Sequence, residues 1–488
     1  MKLKDLLEGV PGVLFNGNEE EEIQGIAYSS KDVQPGFLFA ALKGEKKDGV
    51  EFIEEAVLNG AVVFLSEKPK PTNFEKTWLQ ASDAREALAL CSANFYSHPS
   101  QKMKVVGVTG TKGKTTITYL LEEILKESHF LPAVIGTISY RSPSIKISAE
   151  RTTPEAPYLQ RMLAEMLAQG VTHCLIEVSS HALELKRVLG IGFDIALFSN
   201  LSGEHLDYHH TMQKYFEAKK KLFFLNHKKI TAVINSDDPW GKKLISELPS
   251  GVVTYGLEPG AHVMGKNFKL LERGIELSVK HPAGELLVFS PLLGKPNLYN
   301  ILASIAVALK LNIAVSAIKE GIASLQQIPG RFENIKNSLG LHIFVDYAHT
   351  DDALKNLLET VHGLNPRRII LVFGAGGDRD KAKRPRMGEV AGNLSDWTIL
   401  TSDNPRSEDP MAIISDIEKG IKKTGTKNYE ILPDRKEAIE RALSLGEKGD
   451  YILVAGKGHE DYQIIKDKVI PFKDADVIRS ILEIKESA

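Results

Sequence analysis

The feature that most constrains this chain is a turn rich in glycine and lysine at residues 107–116, which read Gly-Val-Thr-Gly-Thr-Lys-Gly-Lys-Thr-Thr. The turn follows a short apolar stretch at 103–106, which predicts a strand, and it leads into a predicted helix. Gly110 and Gly113 allow backbone N–H groups to close around phosphate oxygens, and the N-terminus of a helix favours an anion. The sequence therefore predicts a strand, loop and helix that bind a nucleoside triphosphate.

The side chains of this turn suit the same ligand. Lys114 can reach the β- and γ-phosphates, and the hydroxyl of Thr115 can hold Mg²⁺. The usual phosphate loop has glycine five residues before the Gly-Lys pair, where this chain has Val108. A glycine-rich turn that binds no phosphate is the alternative on pattern alone. The residues expected to contact the nucleotide phosphates are Gly110, Thr111, Lys112, Gly113, Lys114, Thr115 and Thr116.

Length and composition limit the class of protein. A chain of 488 residues is too long for one hydrophobic core, so about three domains are expected. The formal net charge of −2 provides no basic field for nucleic acid. Cys91 and Cys174 lie in apolar stretches without Cys-x-x-Cys spacing, which is typical of buried thiols in a reducing compartment. Because no signal-peptide pattern and no apolar run of about 18 residues occurs, we expect a cytoplasmic protein without a membrane span.

Strand-like and helix-like segments alternate along most of the chain, which predicts an α/β fold in three domains. Residues 1–100 form the first domain, and residues 101–330 form a central domain with a mainly parallel sheet. Contiguous strands at about 252–290 predict a small antiparallel addition. Residues 331–488 form a doubly wound, Rossmann-like domain. The predicted strands are 23–28, 37–42 and 61–65 in the first domain, 172–178, 195–199 and 232–235 in the second, and 341–346, 368–373, 397–401 and 451–455 in the third.

Acidic and imidazole side chains follow two predicted strands of the central domain. Glu177 ends a strand that we expect beside the phosphate loop, and His205 follows the next strand. A carboxylate and an imidazole there suit Mg²⁺ ions that bridge ATP oxygens. A zinc hydrolase is less favoured, because the chain has no compact His-Glu-x-x-His or Cys/His set. For His181, His209 and His210, a structural or surface role is favoured over a ligand role.

Three further positions have competing interpretations. Lys219 is the first of three successive lysines in a predicted amphipathic helix. By pattern alone, these lysines are expected on the solvent-exposed face of the helix. Arg331 lies at a predicted domain junction, where it can clamp a transferring phosphate or form an interdomain salt bridge. Asp346 and His349 follow a strand of the third domain, where a carboxylate suits a ribose hydroxyl and an imidazole suits a phosphate.

Two arginines follow other strands of the third domain. Arg379 and Arg406 each offer a planar guanidinium that suits a carboxylate. With Glu460 they would form a pocket for a zwitterion, as an amino-acid substrate requires. Solvated loop arginines are the alternative on pattern alone. Ligands of open α/β sheets bind beyond the carboxyl ends of strands, where all three residues are expected.

Taken together, these motifs resemble the Mur ligase family of peptidoglycan precursor synthesis along essentially the whole chain. Similar to the ATPase domain of that family are the stretches 110–116, 177–181, 200–209 and 217–219. Similar to the members that add the third peptide residue are the stretches 346–350, 376–380 and 456–463. Asp-Asn-Pro-Arg at 403–406 resembles the members that add meso-diaminopimelate.

The resemblance implies an ATP-dependent amide ligase. Its substrates would be meso-diaminopimelate and the D-Glu γ-carboxylate of UDP-N-acetylmuramoyl-L-alanyl-D-glutamate, joined through an acyl-phosphate. The first domain would bind the UDP end of that substrate, the second ATP and the third the amino acid. The resemblance also implies two Mg²⁺ ions, and a carbamate formed by CO₂ on Lys219. We expect the chain to act as a monomer.

Site roles are implied residue by residue at the matching positions. Catalysis is implied for Lys114, Glu177, His205, Lys219 and Arg331. Metal binding is implied for Thr115, Glu177, His205 and Lys219. Contacts to adenine, ribose and phosphates are implied for Asn300, Arg331, Asp346 and His349. Contacts to the UDP-muramoyl-dipeptide are implied for Ser30, Thr152, Thr153, Ser179 and Arg187. Contacts to diaminopimelate are implied for Arg379, Asp403, Asn404, Pro405, Arg406, Gly456 and Glu460.

Four alternatives stay open at this point. A lysine-adding member of the family generally lacks the arginine at position 406, and a folylpolyglutamate-type ligase lacks the first domain. A regulatory or mechanical P-loop NTPase would carry glycine at position 108. The joint presence of Lys114, Glu177, His205 and Lys219 speaks against a nucleotide-binding module without catalysis.

Overall fold

Residues 1–44, 47–225, 230–249 and 251–486 are described by a computed structural model of the chain. The chain divides into two compact units, Met1–Tyr255 with Ala306–Ile313, and Gly256–Ile305 with Ala314–Ala488. Among the described helices, none is both long and apolar enough to cross a membrane.

The N-terminal part of the first unit is a five-stranded sheet with helices. Its elements are α1 (Leu3–Leu6), β1 (Val13–Asn16), β2 (Gly25–Ala27), β3 (Phe37–Ala40), α2 (Ile53–Leu58), β4 (Val63–Ser66), β5 (Thr77–Ala81) and α3 (Ala84–Phe95). The strand order is β1-β5-β4-β3-β2, and only β1 runs antiparallel to its neighbour. Phe64 and Trp78 stack in the core on one face, with ring centroids 6.4 Å apart. Each of the three strands predicted in this region is present.

The rest of the first unit is built on a mainly parallel sheet. Its elements are β6 (Lys104–Thr109), α4 (Lys114–Glu127), β7 (Pro132–Ile135), β8 (Ser139–Arg141), β9 (Lys146–Ser148), α5 (Ala156–Ala168), β10 (His173–Glu177), α6 (Ser180–Glu184), β11 (Ile195–Phe198), α7 (Leu206–His209), α8 (Met212–Lys220), β12 (Thr231–Asn235), α9 (Pro239–Glu247) and β13 (Val252–Gly256). The order is β13-β12-β11-β6-β10-β7-β8-β9. Strands β8 and β9 are antiparallel, an extension that the sequence analysis did not anticipate.

Strand β6 lies in the middle of this sheet, between β10 and β11. Its residues Val105, Val106 and Val108 are fully buried, because helices cover both faces of the sheet. Helix α4 packs on β6, β7 and β10, so the loop between β6 and α4 opens at the carboxyl edge of the sheet. That edge is where ligands of parallel sheets bind.

The second unit begins with an antiparallel meander, as the contiguous strands predicted. Its elements are β14 (Val263–Leu271), β15 (Gly274–His281) and β16 (Gly284–Ser290), followed by α10 (Pro296–Lys310) and α11 (Val315–Ser324). Helix α10 crosses the division of the chain at residue 305.

The remainder of the second unit is doubly wound. Its elements are β17 (Glu333–Ile335), β18 (His342–Asp346), α12 (Asp351–His362), β19 (Ile369–Phe373), α13 (Lys383–Leu394), β20 (Trp397–Leu400), α14 (Pro410–Lys423), β21 (Tyr429–Ile431), α15 (Arg435–Leu445), β22 (Tyr451–Ala455), β23 (Tyr462–Ile465), β24 (Lys468–Pro471) and α16 (Asp474–Glu486). Six of these strands form one sheet in the order β17-β18-β22-β19-β20-β21, in which only β17 runs antiparallel to its neighbour. Alternate residues of β19 enter two cores, one with α12, α13 and α14 and one with α15 and α16.

A fully buried ion pair fixes the carboxyl edge of this second sheet. Arg435 and Asp474 are both buried, and two guanidinium nitrogens donate to the carboxylate over 2.7 and 2.8 Å. The same guanidinium donates to the carbonyls of Ser402 and Ala455, just after β20 and at the end of β22. Arg435 therefore ties α15 and α16 to the ends of two strands that border the candidate amino-acid site.

We predict that Asp474→Ala lowers the free energy of unfolding of this unit by about 3–5 kcal/mol, because it leaves a buried guanidinium without its countercharge. The measurement is denaturant unfolding followed by Trp397 fluorescence in a background with Trp78 and Trp240 replaced by phenylalanine. Asp476→Ala, an exposed position in the same helical turn, is the matched control and should change the midpoint little. Equal midpoints for the two variants would contradict the prediction.

Candidate active site

The phosphate loop has a backbone that only glycine allows at its centre. Gly110 has φ +143°, and a Cβ atom there would lie 1.9 Å from Oγ of Ser199. Gly113, with φ +91°, directly precedes α4. The positive φ values favour glycine at both positions, and Gly110 is also required by its close contact with the segment after β11. The loop predicted from the sequence is present at the predicted residues.

Hydrogen bonds to that neighbouring segment fix the shape of the loop. Thr111 N donates to the carbonyl of Asn200 over 2.9 Å, and Lys112 N donates to Oδ1 of Asn200 over 2.9 Å. Ser199 Oγ donates to the carbonyl of Lys112 over 2.6 Å. These contacts hold the loop open through protein groups alone, which is the preorganisation that an anion site requires.

Lys114 lies over the loop that precedes it. Its Nζ donates to the carbonyls of Gly110 and Thr111, each over 2.9 Å. The ammonium is half-buried at the N-terminus of α4, where it adds to the positive end of the helix dipole. This position suits recognition of a polyanion such as a triphosphate.

The predicted neighbourhood of Glu177 and the phosphate loop is present. Strand β10 pairs with β6 in parallel, so that Glu177 lies opposite Val108. The Thr115 hydroxyl donates to Oε2 of Glu177 over 3.1 Å. Thr137 donates to the same carboxylate through its backbone N over 3.1 Å and through its hydroxyl over 2.8 Å. A hydroxyl and a carboxylate oxygen in contact are two hard ligands that Mg²⁺ prefers.

Lys219 is buried, so the solvent-facing orientation favoured by the three-lysine pattern is wrong for this residue. Only 1% of its surface is exposed, and its Nζ donates to the carbonyl of Gly110 over 2.8 Å. It lies 4.6 Å from the ring centroid of Tyr215. Burial, and next the positive charge of Lys114, hold the pKa of Lys219 well below its usual value. A buried amine of this kind is neutral more readily than a surface lysine and can act as a nucleophile.

Histidine rings line the same part of the first unit. The His205 ring lies 5.0 Å from that of His181 and 6.1 Å from that of Tyr215, its side chain is 46% exposed, and partial desolvation lowers its pKa. His209 stacks on Tyr215 and its Nε2 lies 2.9 Å from Oγ of Ser180, so its role is structural, as expected. His205 is therefore neutral at pH 7, the protonation state that a metal ligand needs. No cluster of three or more His, Cys, Asp or Glu side chains that could hold a metal occurs in the described ranges.

Four of the predicted dipeptide contacts form one hydrogen-bonded group. Thr152 Oγ1 lies 3.1 Å from Oγ1 of Thr137, and the Thr137 hydroxyl in turn donates a hydrogen bond to the Glu177 carboxylate. Thr153 Oγ1 donates to the carbonyl of Glu177 over 2.7 Å and accepts from Ser179 N over 3.1 Å. Arg187 Nη1 donates to the carbonyl of Thr153 over 3.0 Å. The structure thus brings Thr152, Thr153, Ser179 and Arg187 beside the candidate metal ligands.

Ser30 belongs to a different part of the first unit. Its hydroxyl donates to Oε2 of Glu55 over 2.6 Å, and Asn59 donates to its carbonyl over 2.8 Å. No hydrogen bond joins Ser30 to the four residues beside Glu177 within the described part of the chain. A long substrate, with a uridine at one end and a dipeptide at the other, would be needed to reach both sets.

The predicted nucleotide residues of the second unit cluster at the end of β18. Asp346 accepts hydrogen bonds from Phe332 N over 2.7 Å and Ala348 N over 2.8 Å. Burial raises its pKa, and the charge of Arg331 opposes that shift. The Arg331 guanidinium lies 4.7 Å from the ring centroid of Tyr347. His349 Nδ1 lies 2.8 Å from the Tyr347 carbonyl.

Asn300 makes its hydrogen bonds within its own helix in the described part of the chain, and not to the residues at the end of β18. It lies on α10, is buried, and its Nδ2 donates to Oδ1 of Asn297 over 2.8 Å. Ser304 Oγ donates to its carbonyl over 2.8 Å. Its implied contact with adenine stays a prediction.

The predicted amino-acid site lies beyond the carboxyl ends of β19, β20 and β22. Glycines let the backbones meet there, since a Cβ on Gly377 would lie 1.9 Å from the Pro405 carbonyl and one on Gly456 would lie 2.6 Å from Oδ2 of Asp403. Arg406 has φ +52°, and its Nη1 donates to the carbonyl of Gly377 over 2.8 Å. The loops 374–377 and 403–406 therefore form one wall of the site.

Two oppositely charged groups complete this wall. Arg379 is exposed, and its Nη1 donates to the Asp378 carbonyl over 3.0 Å. Asn404 is buried, and its Nδ2 donates to Oε2 of Glu460 over 2.8 Å. Guanidinium groups and a carboxylate within one group of loops suit a substrate that carries both signs of charge.

Sequence reasoning assigned no individual role to several residues that shape both sites, although three of them, Asn200, Tyr347 and Lys457, lie in stretches that it singled out. These side chains are Thr137, Glu155, Ser199, Asn200 and Tyr215 in the first unit, and Tyr347, Arg384 and Lys457 in the second. The Gly-Thr pair that follows β7 could have signalled Thr137, since it repeats the strand-to-loop pattern of the phosphate loop. Glu155 forms ion pairs with Arg151 over 3.0 Å, at i,i+4 spacing, and with Arg187 over 2.8 Å, which no sequence spacing indicates.

Comparisons with known proteins identify the family. Family models match three parts of the chain: the Mur ligase family catalytic domain at 22–96, the Mur ligase middle domain at 108–308, and the Mur ligase glutamate ligase domain at 330–458. The chain belongs to the Mur ligase family. Its three Mur ligase domains and mainly parallel sheets confirm the predicted α/β fold class.

Relatives extend over nearly the whole chain. The UDP-N-acetylmuramoyl-L-alanyl-D-glutamate–2,6-diaminopimelate ligase of Solibacter usitatus is 42% identical, over 99% of this chain and 98% of that protein. The ligase of the same name from Caldanaerobacter subterraneus subsp. tengcongensis is 43% identical, over 99% of both. A solved structure of a UDP-N-acetylmuramoyl-L-alanyl-D-glutamate–2,6-diaminopimelate ligase superposes with a TM-score of 0.70 and 32% identity, over 100% of this chain and 99% of that one.

We predict that His209 makes the first unit less stable in acid. Burial lowers the pKa of His209 to about 4, below its unfolded value near 6.5, so the unfolded chain binds the extra proton between these pH values. Stability should fall as the pH falls from 6.5 to 4, by about 3 kcal/mol from this residue. His209→Gln should flatten that dependence in unfolding curves followed by Trp240 fluorescence with Trp78 and Trp397 replaced.

The control for this experiment is the same exchange at an exposed site in the same turn, His210→Gln. It should leave the loss of stability between pH 6.5 and pH 4 as in the wild type. An unchanged pH dependence in His209→Gln would contradict the assignment.

Proposed function

We propose that this chain is an ATP-dependent ligase that joins meso-diaminopimelate to UDP-N-acetylmuramoyl-L-alanyl-D-glutamate in peptidoglycan precursor synthesis. Its domains divide near residues 100 and 330, with the UDP end, ATP and the amino acid bound by the first, second and third. The observation that carries the proposal is the joint presence of two sites. One is a phosphate loop with a carboxylate and a buried lysine, and the other is a zwitterion site with two arginines. The names of the full-length relatives support the same activity.

The oxygen ligands beside the phosphate loop fit magnesium. Thr115, Glu177 and His205, together with a carbamate on Lys219, would hold two Mg²⁺ ions. Magnesium usually combines one or two carboxylates with substrate phosphates, which fits a site whose buried carboxylate is Glu177. When bound, the ions neutralise negative charge on the phosphate oxygens.

Lys219 is suited to form a carbamate with CO₂. Its lowered pKa favours the neutral amine, whose lone pair attacks the carbon of CO₂. The nitrogen–carbon bond forms as one C=O π bond of CO₂ opens onto its oxygen, and the nitrogen loses one proton to solvent, so that the neutral amine becomes a carbamate anion. The change removes the repulsion between Lys219 and Lys114, and it supplies a carboxylate-like ligand next to Gly110.

The reaction follows from these groups. An oxygen of the D-Glu γ-carboxylate attacks the γ-phosphorus of ATP, the bond to the β-bridging oxygen breaks, and ADP leaves. Lys114 balances the charge that spreads over the transferred group. The neutral amine of diaminopimelate then attacks the carbonyl carbon of the acyl-phosphate, the amide forms, and phosphate leaves with loss of the amine proton.

The arginines of the third domain select the amino acid. Diaminopimelate differs from lysine by a second carboxylate, and a guanidinium binds a carboxylate through two hydrogen bonds. Arg406 already donates one nitrogen to Gly377, which fixes the direction of its plane. A substrate without that carboxylate would leave the guanidinium uncompensated, and this loss disfavours lysine.

We predict that the purified chain releases ADP only when ATP, UDP-N-acetylmuramoyl-L-alanyl-D-glutamate and meso-diaminopimelate are all present. Replacing diaminopimelate by L-lysine should lower kcat/KM by at least about a hundredfold, because the arginine site loses its carboxylate partner. Coupled ADP detection, with the amide product measured by mass spectrometry, checks both statements. ATP turnover that ignores the muramoyl substrate would refute a ligase, and equal rates with lysine would refute the selectivity.

We predict that Lys219→Ala lowers kcat by at least about a thousandfold, while short carboxylic acids such as acetate restore part of the rate by supplying the missing oxygens. Lys220→Ala, the neighbouring partly exposed lysine, is the matched control and should keep near wild-type activity. Mass spectrometry after trapping of the carbamate should locate the added CO₂ on Lys219. Full activity of Lys219→Ala would remove the carbamate from the mechanism.

A further inference from the structure

The second unit contains a buried lysine to which the proposed reaction assigns no role. Lys457 follows β22 directly after Gly456, and none of its surface is exposed. Its Nζ donates to Oε2 of Glu460 over 3.2 Å, to Oδ1 of Asn404 over 3.4 Å and to the Tyr462 carbonyl over 2.5 Å. A buried ammonium is costly unless it is paired and hydrogen-bonded, and two of its three acceptors, Glu460 and Asn404, belong to the predicted amino-acid site.

These contacts arrange the two side chains that face the substrate. Oε2 of Glu460 accepts from both Lys457 and Asn404, whereas its Oε1 has no hydrogen bond to any residue in the described part of the chain. Oδ1 of Asn404 accepts from Ile464 N over 2.9 Å as well as from Lys457. One carboxylate oxygen is therefore held by the protein, and the other is available to a ligand.

Charge leads to the same conclusion. Glu460 keeps 16% of its side chain exposed, and Lys457 balances its charge from the buried side. Without that balance the carboxylate would lose a fixing contact, and it could turn toward Arg406 or solvent. With it, Glu460 accepts one ammonium in a fixed direction, while the arginines keep their charge for carboxylates.

We propose that Lys457 is a positioning residue for the amino-acid substrate: it holds Oε2 of Glu460 and the Asn404 amide, so that Oε1 of Glu460 receives the substrate's ammonium. The inference rests on the proposed function, because it assigns an orientation within that site. Lys457 itself touches protein groups and contacts no reacting atom.

The test compares Lys457→Met with wild type in the full chain. The KM for diaminopimelate should rise about ten- to a hundredfold, as expected when a hydrogen bond to a charged group is lost. The KM values for ATP and for the UDP-muramoyl-dipeptide should stay within about twofold of wild type. Lys468→Met, an exposed lysine on the adjacent strand β24, is the matched control and should change none of the three.

A second variant separates positioning from folding. Lys457→Met with Glu460→Gln removes both charges, so the double variant should recover any melting temperature lost by the single one. Its KM for diaminopimelate should stay raised, because glutamine lacks the negative charge that pairs with the substrate's ammonium. A wild-type KM for diaminopimelate in folded Lys457→Met, or an equal rise in all three KM values, would overturn the inference alone. Absence of ligation by the wild-type chain would overturn the proposed function, and this inference with it.

Discussion

Parallel hydrogen bonding between β6 and β10 is the interaction on which the candidate nucleotide site depends. It places Glu177 opposite Val108, one strand away from the start of the phosphate loop. On the other side of β6, strand β11 delivers Ser199 and Asn200 to the same loop. Because both neighbours are parallel to β6, their carboxyl ends open at one edge, and residues about 70 and 90 positions from the loop meet there.

Four buried cationic side chains show how the surroundings of a charged group decide whether its role is structural or chemical. Arg435 pairs with one carboxylate and two carbonyls, and Arg384 pairs with the carboxylates of Glu408 and Asp416, so both guanidinium groups are charge-paired links between elements. Lys457 is paired to a carboxylate that still presents one oxygen outward. Lys219 instead donates to a carbonyl and lies near another cation, so its charged form is disfavoured. Only the last arrangement prepares a lysine for chemistry on its own nitrogen.

Much of the fold could be predicted because its signals are local. Strands β10, β11, β19 and β22 are runs of buried apolar residues of the kind that central parallel strands require, and each is present where the pattern indicated. The extension β8–β9 was missed, since these strands have three residues each, and β9 is exposed. Strands so short carry too few residues for an alternating pattern to stand out.

The sequence by itself determined the phosphate loop, the α/β class and the residue types at the strand ends, because glycine, hydrophobic period and strand-end polarity act over a few residues. The tertiary structure decided which of three successive lysines is buried, and that Thr115 and Thr137 both donate to the carboxylate of Glu177. It also decided that Lys457 is the cation behind Glu460. These outcomes depend on helix rotation and strand register, which are set by packing against distant parts of the chain and leave no trace in local spacing.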